Sequence, residues 1–210
     1  MNKNNLNTIK KVILILLCTP LLFSCAGSDT KEKTSTNSAT HQQKDDLIEQ
    51  FTRDLDRTTE ASNNKNWDAV MDMTYPKLFN LVPKEEFQGV LESMFEIFKD
   101  FQTSIISDVR HSYPVIDYEG DKFTKFSYDT EIIYTFYNLD DLDNSLPGFI
   151  QQFGEDNIET FRNTNSIAVN SEASMLAVLE ENVSKWTYLN WDDNITEQFI
   201  PTNIIDQLLK

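Results

Sequence analysis

An α+β fold is what this chain predicts, and three observations carry it. Apolar residues recur at helical spacing from Leu47 to Phe98, the period then switches to two, and turn residues punctuate the alternating stretches that follow. Helices first and a meander of antiparallel strands after them is the α+β order. No internal repeat is visible.

The first helix is predicted from about Asp45 to Ser62, with Leu47, Ile48, Phe51 and Leu55 on one face. A polar joint, Asn63-Asn64-Lys65-Asn66, leads to Trp67, Val70, Met71 and Thr74 at i, i+3, i+4 and i+7, a short second helix. Pro76 stops it, because proline disfavours helical geometry in the residue before it. A third helix opens at Pro83, with Glu85 and Glu86 well placed against its dipole. Its stripe of Phe87, Val90, Leu91, Met94, Phe95 and Phe98 needs an apolar sheet to cover, and Phe126, Ile132 and Val169 are the expected partners.

Strand alternation begins at Ile105, Val109, His111 and Tyr113. Glu119-Gly120-Asp121 turns the chain into its longest strand, on which Phe126, Tyr128, Thr130, Ile132, Tyr134 and Phe136 face one way. Lys125, Ser127, Asp129, Glu131 and Thr135 face the other, so the sheet is read as wet on one side and buried on the other. A polar loop from Asp140 to Ser145 caps a short helix with Pro147 in its first turn, ended by Gly154. Strand character returns over Ser166 to Glu180 and over Trp186 to Leu189, and a terminal helix from Thr202 offers Ile204, Ile205, Leu208 and Leu209.

Ahead of this region stands a leader. Lys3, Lys10 and Lys11 are followed by the apolar run Val12 to Leu17 and by Leu21, Leu22 and Phe23, too short to span a bilayer at ~20 residues. Leu22-Phe23-Ser24-Cys25 resembles a bacterial lipobox, which implies cleavage before Cys25 and diacylglyceryl, then fatty-acyl (palmitate-type) modification of that cysteine. The chain accordingly divides into a signal peptide at 1–24, a lipidated cysteine and disordered tether at 25–44, and a single α+β domain at 45–210. Ala26 after the cysteine favours the outer membrane by the same resemblance, with the domain on the periplasmic side or at the cell surface.

The whole chain carries a formal charge of −16. Removal of the leader takes three lysines and no acid, leaving 15 basic against 34 acidic residues. Such a surface repels phosphate backbones, which excludes nucleic acid as a partner. Cys18 leaves with the leader and Cys25 is consumed by lipid, so the domain has neither a disulfide nor a thiolate ligand. His41 lies in the tether, leaving His111 alone, and a histidine cluster for a metal cannot be built. Asp140, Asp141, Asp143 and Asn144 suggest a calcium loop, but counted from Asp141 the glycine and glutamate positions hold Leu146 and Gln152. No glycine-rich phosphate loop exists. No cofactor and no metal are expected.

Three helices before the strands, Trp67 opening the second of them, Phe153-Gly154 before Asn157-Ile158, Met175-Leu176-Ala177, Trp186-Thr187-Tyr188-Leu189 and Pro201 before Ile204 form one pattern. It resembles the nuclear transport factor 2-like superfamily, and uncharacterised lipoproteins of that fold, over roughly residues 45–210. The resemblance implies three N-terminal helices packed on a curved antiparallel sheet, a cone of the cystatin-like type, with a short C-terminal helix. Ketosteroid isomerase-like and polyketide cyclase-like members use tyrosines and carboxylates in the mouth of that cone. Tyr128 and Tyr134 supply the phenols here, whereas Asp129 and Glu131 alternate to the opposite face. The ligand-pocket residues expected from this are Trp67, Tyr75, His111, Phe126, Tyr128, Tyr134 and Phe136, with His111 read as a lining or core residue rather than a catalytic base.

A non-catalytic module binding a small apolar or aromatic ligand is therefore the favoured function. An isomerase-like or cyclase-like enzyme and a protein-binding or dimerising module stay open beside it. A hollow beside Tyr128 and Tyr134 is what the first requires.

Overall fold

The computed structural model describes residues 38–104, 109 and 111–209. The leader, Cys25, residues 26–37 of the expected tether, and Ile105 at the start of the expected strand lie outside the described residues. Among those described, no helix is long and apolar enough to cross a membrane.

Helix α1 spans Ser38–Asn63 and so begins within the stretch expected to be tether. It ends on a left-handed residue, Lys65 at φ 55°. There the Asn66 amide donates to the Ala61 carbonyl and the Lys65 amide to Ser62, the paired bonds of a Schellman cap. Asn66 then caps α2 (Trp67–Met73) by accepting from the Ala69 amide at 3.3 Å. A 3₁₀ turn over Pro76–Asn80 leads to α3 (Lys84–Ile97), which has Pro83 as its N-cap.

Among the described residues, seven strands form one antiparallel sheet. Its spine is a ladder between β4 (Asp121–Thr135) and β6 (Ser166–Leu179), in register from Lys122↔Leu179 to Thr135↔Ser166. The other side of β4 receives β1 (Asp100–Ser104), β2 (His111–Ser112) and β3 (Ile116–Tyr118). The other side of β6 receives β5 (Ile158–Phe161) and β7 (Thr187–Asn190). Between β3 and β4 the turn residues Glu119 and Gly120 both have positive φ, 54° and 90°, the two-residue turn whose twist suits a hairpin. The positive φ of Gly120 suits glycine, and a Cβ there would also displace the exposed Glu181 side chain, whose Cδ it would approach to 2.7 Å.

Helix α4 runs over Leu139–Phe153. The stretch read as a polar loop is its first half: Asn138 accepts from the Asp141 amide, and Asp140 and Asp141 sit in the first turn, where the dipole favours acids. Pro147 consequently lies inside the helix, and Gly154 at φ 84° ends it. Short helix α5 (Asp193–Thr196) and α6 (Thr202–Leu208) close the chain, with Ile195, Ile204, Ile205 and Leu208 buried.

Three apolar clusters hold these elements. Phe51 and Leu55 of α1 lie over Phe126, Tyr128, Ala177 and Tyr188. Strand alternation puts Phe123, Leu176, Val178 and Leu189 on the opposite face, where Trp67, Val70, Phe87 and Leu91 cover them together with α6. That end of the sheet is thus covered on both faces, which the one-sided reading of the long strand did not anticipate. At the far end, Ile132, Tyr134, Ile167 and Val169 pack under α4 with Phe98 and Phe101. The stripe of α3 is therefore divided: Phe98 meets the Ile132 and Val169 cluster as expected, but Phe126 is covered by Phe51, its ring stacked at 4.7 Å.

Candidate functional site

Helix α1 changes character halfway along the face it turns to the sheet. Leu47, Ile48, Phe51 and Leu55 fill the space beneath them, whereas the next positions on that face are Thr58, Thr59 and Ser62. Opposite these, the sheet presents Thr130 and Ala173 between the larger Tyr128, Ile132 and Met175. Short side chains on both surfaces cannot meet across a helix-on-sheet gap, and a cavity of about 150 Å³ results. Met73 and Thr74 from α2, Phe87 from α3, Thr103 from β1 and Tyr188 to Asn190 from β7 complete its wall.

Position is fixed by backbone as well as packing. Asn63, the last residue of α1, accepts from the Thr103 amide at 3.2 Å and donates to the Thr103 carbonyl at 3.3 Å, tying the helix end to edge strand β1. Thr74 forms a parallel bridge with Tyr188, and the Tyr75 amide donates to the Tyr188 carbonyl at 2.8 Å. These contacts hold α2 against β7 on the far side of the hollow.

Two phenols line it with different surroundings. Tyr188 donates its hydroxyl proton to Asp54 Oδ2 at 2.5 Å, and Arg57 lies 3.8 Å from the other carboxylate oxygen. Burial, and then the Asp54 carboxylate, push the Tyr188 pKa well above the ordinary tyrosine value. Tyr128 is 8 % exposed, and its hydroxyl has no hydrogen-bond partner among the described residues. Burial alone raises its pKa. Both phenols are neutral and protonated at physiological pH. Among the described residues the wall contains no Asp, Glu, His, Lys, Arg or Cys. Its chemistry is that of hydroxyls, one amide and apolar groups.

A second, smaller hollow of about 40 Å³ lies beside the first and shares Ser62 and Thr103 with it. Trp67, Leu91, Met94, Phe95 and Phe101 form the rest of its wall.

Comparison with protein-family models, curated proteins and solved structures finds no match. The site therefore rests on its own geometry.

Of the residues expected at a pocket, Tyr128 lines the larger cavity and Trp67 the smaller. Four others are packed into the core. Tyr75 is wholly buried, with the Lys77 ammonium 5.6 Å from its ring centre. Phe126 lies beneath Phe51, and Tyr134 is enclosed by Phe98, Phe101 and Phe149 at 4.9 to 5.2 Å between ring centres. Phe136 packs against Phe98 and Phe149 in the same cluster. The expected pairing of Tyr128 with Tyr134 in one hollow is thus replaced by Tyr128 with Tyr188. His111 pairs in β2 with Ser127, while its side chain lies outside the described residues. Cys25 lies outside them too. Asp129 and Glu131 alternate away from the cavity face, as the period of two requires.

Thr58, Thr59, Ser62, Tyr188 and the Tyr188–Asp54 bond are the parts of the site that sequence reasoning missed. A signal for them existed: a helical stripe that passes from Leu and Phe to Thr and Ser while its partner strand offers Thr130 and Ala173 announces unfilled volume.

Proposed function

We propose that this chain is a lipid-anchored exported protein, held on the outer membrane through Cys25, whose folded domain binds a small apolar or aromatic molecule without transforming it. The cavity between α1 and the sheet carries the reading. An apolar protein cavity of about 150 Å³ admits a benzene ring, whereas drug-sized ligands occupy about 300–1,000 Å³. A single ring with few substituents therefore suits this site, and a fused-ring steroid exceeds it. Binding is preferred to isomerase-like or cyclase-like chemistry because the described wall offers neutral hydroxyls, and proton abstraction needs a base within hydrogen-bond reach of the substrate.

The succession of three helices and an antiparallel sheet supports the likeness to the nuclear transport factor 2-like cone. The leader and the Leu22-Phe23-Ser24-Cys25 motif support export and anchoring.

Filling the hollow tests the binding reading. In a thermal-shift screen of small aromatic and alicyclic compounds, the parent chain should be stabilised by some members and Thr59→Leu by none. A variant that responds as the parent does would place the ligand elsewhere.

A further inference from the structure

Thr59, Ser62, Thr103 and Thr130 bring hydroxyls to the larger cavity, and the four that remain, on Thr58, Thr74, Tyr188 and Tyr128, fall into two kinds. Thr58 and Thr74 donate to the carbonyls of Asp54 and Val70, one turn earlier in their own helices, each at 2.9 Å. Tyr188 donates to the Asp54 carboxylate. These three oxygens have committed their protons and offer lone pairs only. Tyr128 is the opposite case, a buried donor on the cavity wall with no acceptor among the described residues. Its oxygen, unlike those of Tyr75 and Ser171, is not sealed from solvent, so the donor is open to the recess and an acceptor atom brought there takes the place of water.

Charge is disfavoured by the same wall. No described lining residue is cationic, so a carboxylate entering the cavity loses its water without gaining a counter-ion. The nearby Asp54 repels an anion further. Nor does Asp54 favour a cation, since its two oxygens already face the Tyr188 hydroxyl and the Arg57 guanidinium.

We infer that the cavity takes an uncharged single-ring ligand, of the phenol or cyclohexanone class, whose one oxygen accepts a hydrogen bond from Tyr128. The inference rests on the ligand-binding reading above and adds ring size, the oxygen function and the absence of charge. A ligand hydroxyl has the further advantage of a proton for the lone pairs of Thr58 or Tyr188.

Met73 and Met175 both line the cavity and provide a local readout. The full-length chain, ¹³C-labelled at its methionine methyls and held in nanodiscs, is titrated with phenol, cyclohexanone, toluene and benzoate. Phenol and cyclohexanone should displace both methyl signals, and benzoate should displace neither. Tyr128→Phe keeps the ring and should keep the melting temperature. It should weaken phenol and cyclohexanone about tenfold, the equivalent of one neutral hydrogen bond, and leave toluene unchanged. Benzoate binding as tightly as phenol, or Tyr128→Phe binding phenol with parental affinity, overturns the inference while the binding reading stands. If none of the four probes moves either methyl signal, the binding reading falls and this inference with it.

Discussion

Tyr128 and Tyr188 hold their protons more tightly in the folded chain than tyrosine does in water, and this has a sign that can be measured. Above pH 10, the ordinary tyrosine value, the unfolded chain releases both protons while the native chain keeps them. The native state then binds more protons, so stability is full below that pH and falls as pH rises through it, by up to ~1.4 kcal/mol per unit for each tyrosine. Urea midpoints from pH 8 to 11 should show this decline, with a shallower slope in Tyr188→Phe. That variant should also lose about 1–3 kcal/mol at neutral pH, because the largely buried Asp54 carboxylate loses a donor. An unchanged alkaline slope would remove Tyr188 from the interior. Ser171, opposite Thr130 in the ladder, has a buried hydroxyl with no partner among the described residues. Ser171→Ala should accordingly be neutral or stabilising in the same assay, and a loss above ~1 kcal/mol would mean that the hydroxyl is bonded after all.

Helix α1 covers the centre of the sheet, and its substitutions should outweigh those of α3. Phe51 is wholly buried, stacked on Phe126 and edge-on to Trp186 at 5.5 Å and Tyr188 at 6.0 Å. Truncation to alanine should cost about 3–5 kcal/mol. Phe95 is only partly buried, between Trp67 and Phe101, and its truncation should cost at least ~1 kcal/mol less. Equal shifts in denaturant midpoint would contradict this division of the core. The same elements show what was legible beforehand. The period of two assigned Phe126, Tyr128, Tyr134 and Phe136 to one face of the sheet, because alternation is a local property of the chain. It was silent on depth, which depends on the bulk that α1 and α4 lay over each position. Phe51 closes the space above Phe126 and Phe149 closes that above Tyr134, whereas Thr59 and Ser62 leave Tyr128 open. The start of α4 is hidden for a different reason: the polarity of Asp140 and Asp141 suits a loop as well as a first helical turn, and only Asn138 ahead of the acids marks the helix start.

At the scale of the whole molecule, the α+β order was readable because helical and strand periods occupy separate stretches of the chain. The two-sided cover of the sheet was not, since the helix and tail residues that provide it come from both ends of the sequence. Anchoring is tested on the intact protein: Cys25→Ser should abolish incorporation of labelled fatty acid and move the chain from the detergent phase to the aqueous phase. Retention in the detergent phase without label would sink the lipoprotein reading.

The long ladder of β4 with β6 also sets an order of events in folding. Its pairs differ in how much chain must be brought round to make them, least for Thr135↔Ser166 and most for Lys122↔Leu179. Loop-closure entropy therefore favours nucleation at the Thr135 end, where the two hydroxyl oxygens lie 2.9 Å apart and α4 with β5 forms the excursion to be closed. From there the strands zip outward, and the walls of the cavity at Tyr128 and Ala173 join only in the middle of the process. Stopped-flow refolding should find that Thr135→Ala slows folding and that Leu179→Ala mainly quickens unfolding. The reverse pattern would mean that the ladder grows from its Leu179 end instead.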